Sequence, residues 1–431
     1  MHHNELEKVK YVAVDETVYR ATLTNGLQLV LLPKNDFYET YGIITTNFGS
    51  IDTDFVSRET GEWVHHPAGI AHFLEHKLFE KEDGEDFLQK FTRFGAESNA
   101  FTSFTKTSYL FSATENVLEN IALLQELVAQ AYFNKTSIDH ERKIIQQEIE
   151  MYQDNPDYRL FFSALSNLYP NTPLSNDIAG TKESISEITA EKLEENFNTF
   201  YTPSNMNLFI VGNFDAKEVF KKIVEQQNAG NTLVDEPIIQ KQDLKLEEVI
   251  PTGTYRMEVA SPKLAIGIRG KNQIEETELY RYKTTLKLLF AMMFGWTSKR
   301  FQSLYEIGKI DTSLSVEVEV EKEFHFVMLT MDSQEPVWLS HQFRSAIKKF
   351  EQDADVSEEH LDIIKSEMFG DFLHGLNSLE YIATQYEPHL KGENLFDLPK
   401  ILQDISLSDV IKVGHRFIDQ CDMTDFTIFP K

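Results

Sequence analysis

The run His72-Phe73-Leu74-Glu75-His76 places two imidazoles and a carboxylate within five consecutive residues. On a helix, His72 and His76 are four apart and stack on one stripe, so both can reach a single metal ion. Glu75, three residues after His72, lies close enough to that stripe to hold a water beside the metal. The order H-x-x-E-H inverts the more familiar H-E-x-x-H, and it supplies the minimum kit for a hydrolytic zinc site.

Such a site needs a third ligand. Residues 137–153, SIDHERKIIQQEIEMYQ, read as a helix capped by Ser137, with Ile144, Ile145, Ile149 and Tyr152 recurring at helical spacing. At about 100° per residue, Glu148 falls between Ile144, Ile145 and Tyr152, while Glu150 projects from the opposite side. A carboxylate on a buried stripe is costly unless it is paired or binds a metal. Glu141 lies two turns before Glu148 on the same face, and two acids there call for a cation. Glu148 is therefore the expected third ligand, and Glu141 a supporting acid able to orient a histidine. A His₂Glu set suits Zn²⁺ and could also take Mn²⁺ or Co²⁺.

The segments GIAHFLEHKLFE, ESNAFTS and ERKIIQQEIEMYQDNP together resemble the pitrilysin/insulinase family of zinc metallopeptidases. That family includes mitochondrial processing peptidase subunits and half-length bacterial enzymes. The resemblance extends over YPNTPLSNDIAGTKESISEIT and YTPSNMNLFIVGNF. It implies one Zn²⁺ per chain held by His72, His76 and Glu148, with Glu75 as general base and Glu141 as supporting acid. The stretch Asn99-Ala100-Phe101-Thr102-Ser103 reads as a strand from its β-prone residues. The resemblance makes this strand an exposed edge that pairs with substrate backbone, with Asn99, Ala100 and Phe101 as substrate-binding residues.

These elements must be carried by a larger frame, and the chain repeats its plan. A hairpin from Tyr19 to Leu32 turns at Asn25-Gly26, and strands follow near Tyr41–Asn47 and Asn99–Ser112. A strand at Met206–Gly212 and a helix from about Asp215 close the first half. The second half offers strands near Tyr255–Val259, Lys263–Arg269, Ser313–Val320, Phe324–Met331 and Asp425–Phe429, with long helices between them. Met206-Asn207-Leu208-Phe209 and Met423-Thr424-Asp425-Phe426 are expected to be equivalent. The expected fold is α+β: two homologous domains, each a mainly antiparallel or mixed β-sheet with helices on one face. Residues 1–228 form the zinc-binding domain, 229–248 a polar linker, and 249–431 a degenerate domain without metal.

No H-x-x-E-H occurs after the linker. His325, His341, His360, His374, His389 and His415 are too scattered to form one. The resemblance implies that the second domain shapes a chamber and contributes an Arg and a Tyr to the transition state. Here the matching segment is FQSLYEIGKIDTSLS, with Tyr305 at the place of the Arg and Asp311 near that of the Tyr. The departure points to a partner: a homodimer, or a heterodimer with a sister subunit lacking the zinc motif. Tyr305 is the alternative donor.

A length of 431 residues suits two domains, and 41% hydrophobic residues with 32 Phe support real cores. The single Cys421 excludes a disulfide framework and a thiolate zinc cluster. No leader-like or membrane-spanning apolar run is visible, so a cytoplasmic location is expected. A formal charge of −28 argues against nucleic acid and anionic membrane as partners. The leading expectation is a zinc endopeptidase acting on peptides or unfolded segments. The alternatives are a scaffold subunit with a structural zinc and a metal-binding regulator.

Overall fold

The computed structural model describes residues 5–81, 86–229, 239–387 and 392–431. The chain forms two compact units that are not contiguous in sequence. The first comprises Met1–Ile149, Asp177–Gln242 and Gly375–His389; the second comprises Glu150–Asn176, Asp243–His374 and Leu390–Lys431. Each unit thus takes a segment from the other half of the sequence, which no composition shift announces. Of the polar stretch 229–248, residues 230–238 lie outside the described residues. Lys241 in that stretch bridges to Phe55, and its amine bonds the Asp52 carboxylate at 2.9 Å and the Asn47 carbonyl at 2.7 Å.

The strands are β1 (Glu7–Tyr11), β2 (Glu16–Thr22), β3 (Gln28–Pro33), β4 (Thr40–Thr46), β5 (Asp54–Val56), β6 (Trp63–His65), β7 (Ala96–Thr102), β8 (Thr107–Ala113) and β9 (Met206–Gly212) in the first unit. The second unit holds β10 (Thr252–Met257), β11 (Lys263–Arg269), β12 (Ser315–Val320), β13 (His325–Asp332) and β14 (Asp422–Pro430). The first helices are α1 (Ile70–Lys77), α2 (Phe87–Arg93), α3 (Val117–Ala129), α4 (Lys135–Asp154) and α5 (Pro156–Leu168).

The first sheet has the order β1-β2-β3-β9-β4-β8-β7. Its β2–β3 hairpin turns where Gly26 adopts φ +88°, a left-handed conformation that glycine takes without a Cβ clash. Every residue of β4 is buried because both faces of the sheet are covered. Leu208 and Ile210 of β9 join Ile44 of β4 and Ile121 and Leu124 of α3 in one apolar core. The intervening Phe209 points the other way and meets the Tyr386 ring at 5.3 Å, just after the helix Leu379–Gln385. In the second unit, α5 lies against β11 and β14, and the helix Leu279–Phe294 lies against β12. Among the described residues no helix is long and apolar enough to cross a membrane.

The duplicated plan is visible in the strand orders. β3-β9-β4-β8-β7 in one sheet matches β10-β14-β11-β13-β12 in the other, each with one parallel pair, β3–β9 and β10–β14. Corresponding turns carry the same bond, Ser103 N–H to the Lys106 carbonyl and Glu321 N–H to the Phe324 carbonyl, both 2.8 Å. Counted from these turns, Thr45 corresponds to Arg269, and their partners Asn207 and Asp422 correspond too. Matching Met206 to Met423 is therefore two residues out. An even offset leaves every side chain on its own face, which is why the apolar pattern did not reveal it.

Candidate metal centre

α1 begins at a tight backbone crossing. Gly69, at φ +89°, precedes Ile70, and a Cβ there would lie 2.4 Å from the Ala179 carbonyl oxygen. Gly180 packs reciprocally against the Ala68 carbonyl, 2.5 Å from where its Cβ would be. Two glycines thus let the chain after Asp177 press against the start of α1. Ile70, Ala71, Phe73 and Leu74 are buried in the core, and His72, Glu75 and Lys77 are buried as well. The Lys77 amine is satisfied by the Glu80 carboxylate and the Ser137 hydroxyl.

α4 brings the acids. It starts two residues before Ser137, whose N–H is capped by the Asn134 side chain at 2.9 Å; Ser137 itself is not the cap, because its hydroxyl serves Glu80 and Lys77. The buried stripe is Ile138, Ile145 and Ile149. Ile144, expected on that stripe, is 42% exposed, so the stripe is narrower than the four apolar residues suggested. Glu148 sits at its margin with a side chain 21% exposed, and Glu150 is exposed.

His72 Nε2 and His76 Nε2 lie 3.8 and 3.6 Å from Glu148 Oε2. One ligand atom from each of these three residues falls within 4.8 Å of the others. Ligands about 2.0–2.1 Å from a tetrahedral zinc stand ~3.3 Å apart, so each histidine needs to close on Glu148 by only a few tenths of an ångström. The donor set of two imidazoles and one carboxylate fits a zinc ion with an open fourth position. Glu141 Oε1 bonds His76 Nδ1 at 2.9 Å, which fixes the tautomer and turns Nε2 toward Glu148. Burial, reinforced by the adjacent His76, pulls His72 down to about 4, so its ring is neutral and ready to ligate near pH 7. Burial also depresses His76, but the Glu141 hydrogen bond and the surrounding carboxylates outweigh it and hold that ring above its ordinary value.

Glu75 is not part of the ligand triad. It is 7% exposed, and burial pushes its carboxyl up to about 7, against the lowering pull of a hydrogen bond from Thr102. The Thr102 hydroxyl reaches Glu75 Oε2 at 2.5 Å. A buried carboxyl raised toward neutrality beside three groups that could hold a metal ion is suited to take and return a proton. Sequence reasoning had passed over Thr102, Lys77, Gly69 and Gly180. Their partners are remote in sequence, so no local pattern marks them.

Thr102 ends β7, the last strand of the sheet order. Because Ser103 N–H bonds the Lys106 carbonyl and the register is continuous, Asn99 and Phe101 direct their backbone groups to β8. Ser98, Ala100 and Thr102 direct theirs to the free edge. Of the three residues expected to meet substrate, Ala100 alone presents its amide outward, and the Asn99 side chain accepts from it at 2.9 Å. Tyr305 belongs to the second unit, on the helix Lys299–Glu306. It is 50% exposed and stacks on Phe301 at 5.8 Å. Asp311 is a turn residue whose carboxylate takes the Ser313 N–H at 2.8 Å.

The model of the insulinase family, peptidase family M16, matches residues 64–182, and that of the peptidase M16 inactive domain matches residues 187–368. The uncharacterized zinc protease YmfH of Bacillus subtilis (strain 168) is 40% identical over 430 residues, which is 99% of this chain and 100% of that relative. The chain belongs to peptidase family M16. The M16 fold recurs in the crystal structure of an M16-like peptidase from Alicyclobacillus acidocaldarius, with TM-score 0.89, 28% identity, and coverage of 96% of this chain and 99% of that one. The periplasmic protease PqqL of Escherichia coli shares the fold at TM-score 0.69 and 18% identity. This M16 chain, matched over 96% of its length, spans 47% of PqqL.

Proposed function

We propose that this M16 chain is a zinc-dependent endopeptidase that hydrolyses short or unfolded peptides. The observation that carries this reading is a buried Glu75, outside the three candidate ligands His72, His76 and Glu148 and held by the Thr102 hydroxyl. A structural zinc site has no use for such a group, and keeping it buried costs stability, which argues against the scaffold reading.

Zn²⁺ bound by His72, His76 and Glu148, one ion per chain, would acidify a water and polarise the scissile carbonyl. Glu75 takes a proton from the attacking water and returns it to the leaving amine. Thr102 holds the carboxylate in place for both transfers. A peptide adding as a strand to β7 would be held by the outward groups of Ser98, Ala100 and Thr102. Main-chain pairing of that kind accepts many sequences but requires an extended chain, so folded domains are poor substrates.

The chain works as half of a pair. An oxyanion in a dry site needs positioned donors, and where the family resemblance implies an Arg and a Tyr the second half has Tyr305 at the place of the Arg and Asp311 near that of the Tyr. A sister subunit lacking its own H-x-x-E-H supplies those donors, or a second copy does so through Tyr305. The chain's match to about half of PqqL is in keeping with this. The test is cleavage of a fluorogenic oligopeptide by zinc-loaded and chelated protein, alone and with the sister subunit. Bound zinc without hydrolysis in every combination would overturn the peptidase reading in favour of a scaffold.

A further inference from the structure

Lys241 lies in the polar stretch that reads as a linker, yet its backbone neighbours are docked on β5. Val56 N–H donates to the Gln240 carbonyl and Gln242 N–H to the Asp54 carbonyl, both at 2.9 Å. The Lys241 amine reaches the Asn47 carbonyl and the Asp52 carboxylate, the two ends of the loop that follows β4. Asp52 is 5% exposed, and the same oxygen, Oδ2, also accepts the Gly49 N–H at 2.8 Å. One amine thus closes the loop Asn47–Asp52 end to end. A buried ion pair is a poor means of gaining stability, because desolvation offsets most of the attraction. The role of this one lies in what the loop holds.

The loop grips the end of the β7–β8 hairpin on both strands. Ser50 N–H donates to the Ser103 carbonyl at 3.0 Å, and Ile51 N–H donates to the Phe104 carbonyl at 3.1 Å. The Phe48 carbonyl accepts the Thr107 hydroxyl at 2.8 Å. Gly49 approaches so closely that a Cβ there would stand 2.3 Å from the Phe104 carbonyl oxygen. Thr102 sits between these contacts. Ser103 follows it in the chain and Thr107 is its partner across the ladder, with the two threonine hydroxyls 3.3 Å apart. The Thr102 hydroxyl is the group that donates to Glu75. A shift of ~0.5 Å at the hairpin end is enough to misalign that bond.

We propose that Lys241 is a positioning residue for Glu75: by closing the loop Asn47–Asp52, it holds the β7–β8 hairpin where Thr102 meets that carboxylate. The proposal rests on the reading of Glu75 as the proton acceptor. The route has three steps, from Lys241 to the loop, from the loop to the hairpin end, and from Thr102 to Glu75. Each step is a set of hydrogen bonds between groups remote in sequence, and the first uses a charged donor, which makes it the strongest and the most directional. A rigid supporting shell of this kind is what keeps a reacting carboxylate in register with its substrate.

The test is a double-mutant cycle between Lys241→Met and Thr102→Val in the full-length chain. It is read as kcat and KM of zinc-loaded protein on an oligopeptide and, in chelated protein, as hydrogen exchange of the Ser50, Ile51 and Ser103 amides. Lys241→Met should lower kcat about tenfold while KM changes far less, and it should add nothing once Thr102 is replaced. Lys241→Arg keeps the charge and can donate to both acceptors, so it should restore kcat. The three amides should exchange faster in Lys241→Met, while those of Ile43 and Ile44 in β4 keep their protection. Lys241→Met leaves Asp52 buried and unpaired, so Lys241→Met combined with Asp52→Asn is the second variant. It removes both charges, keeps an acceptor for the Gly49 N–H, and should show the same losses. Equal fold-losses of kcat with and without Thr102→Val mean that Lys241 acts on the fold as a whole and overturn the proposal, as does unchanged kcat or unchanged exchange. Failure of the peptidase reading looks different, because the wild type then hydrolyses nothing. Exchange alone decides in that case: faster exchange of the three amides upholds the positioning of the hairpin by Lys241, and unchanged exchange overturns it.

Discussion

The Thr102 hydroxyl donates to Glu75 Oε2 at 2.5 Å, so the strand with the free edge also holds the carboxylate beside the metal ligands. The bond favours the ionised carboxylate. Thr102→Val should therefore raise the Glu75 pKa further and move the acid limb of kcat/KM about one pH unit upward. Zinc content should stay unchanged, and Thr102→Ser should restore the profile. An acid limb that stays put in Thr102→Val would mean that the bond does not tune Glu75.

Glu75→Gln removes the proton acceptor and keeps the shape. Zinc content and peptide binding should persist while turnover falls at least about 10²-fold. Near-normal kcat in this variant would take Glu75 out of the mechanism.

His72→Ala, His76→Ala and Glu148→Gln should each strip zinc, because a three-ligand site loses most of its affinity with any one ligand gone. Glu150→Gln, on an exposed side chain, should not. Glu141→Gln should weaken affinity or activity about 10–100-fold by freeing the His76 ring. Metal analysis of the five purified variants checks this. Zinc retained without Glu148 and lost without Glu150 would be decisive against the assignment.

In metal-free protein Glu75 makes stability depend on pH. Its carboxyl is raised from 4.5 to about 7, and a raised folded pKa gives stability that is complete below the unfolded value. That stability is lost as pH rises through the folded value. Chelated Glu75→Gln should thus match wild type near pH 4.5 and exceed it above pH 7, by up to about 3 kcal/mol. His72, depressed to about 4, titrates in both proteins and cancels in the comparison. Denaturant melts across this range provide the measurement, and equal stabilities on the alkaline side would contradict the assigned burial cost.

The isolated chain should be a weak peptidase that a sister subunit without H-x-x-E-H activates by about 10²-fold or more, the typical cost of one missing oxyanion donor. Full activity of the purified chain, severely impaired by Tyr305→Phe, would assign the donor to Tyr305 and the pair to two copies.

What the sequence determined by itself is whatever depends on short-range periodicity. The four-residue step puts His72 and His76 on one stripe, the seven-residue step puts Glu141 and Glu148 on another, and β-prone runs mark β4, β8, β9 and β11 within a residue or two and β7 from Asn99 onward. These relations follow from backbone geometry, which neighbours in the chain dictate. What the tertiary structure decided is everything that depends on partners far along the chain. It buried His72 while leaving Ile144 exposed, and it gave the helix cap to Asn134 because Ser137 was needed by Glu80 and Lys77. It exchanged Glu150–Asn176 and Gly375–His389 between the units. It chose Ala100 to face the free edge and brought Thr102 to Glu75. The physical reason is that burial and hydrogen-bond competition are settled among all the groups that meet in space, and a local pattern records only one side of each meeting.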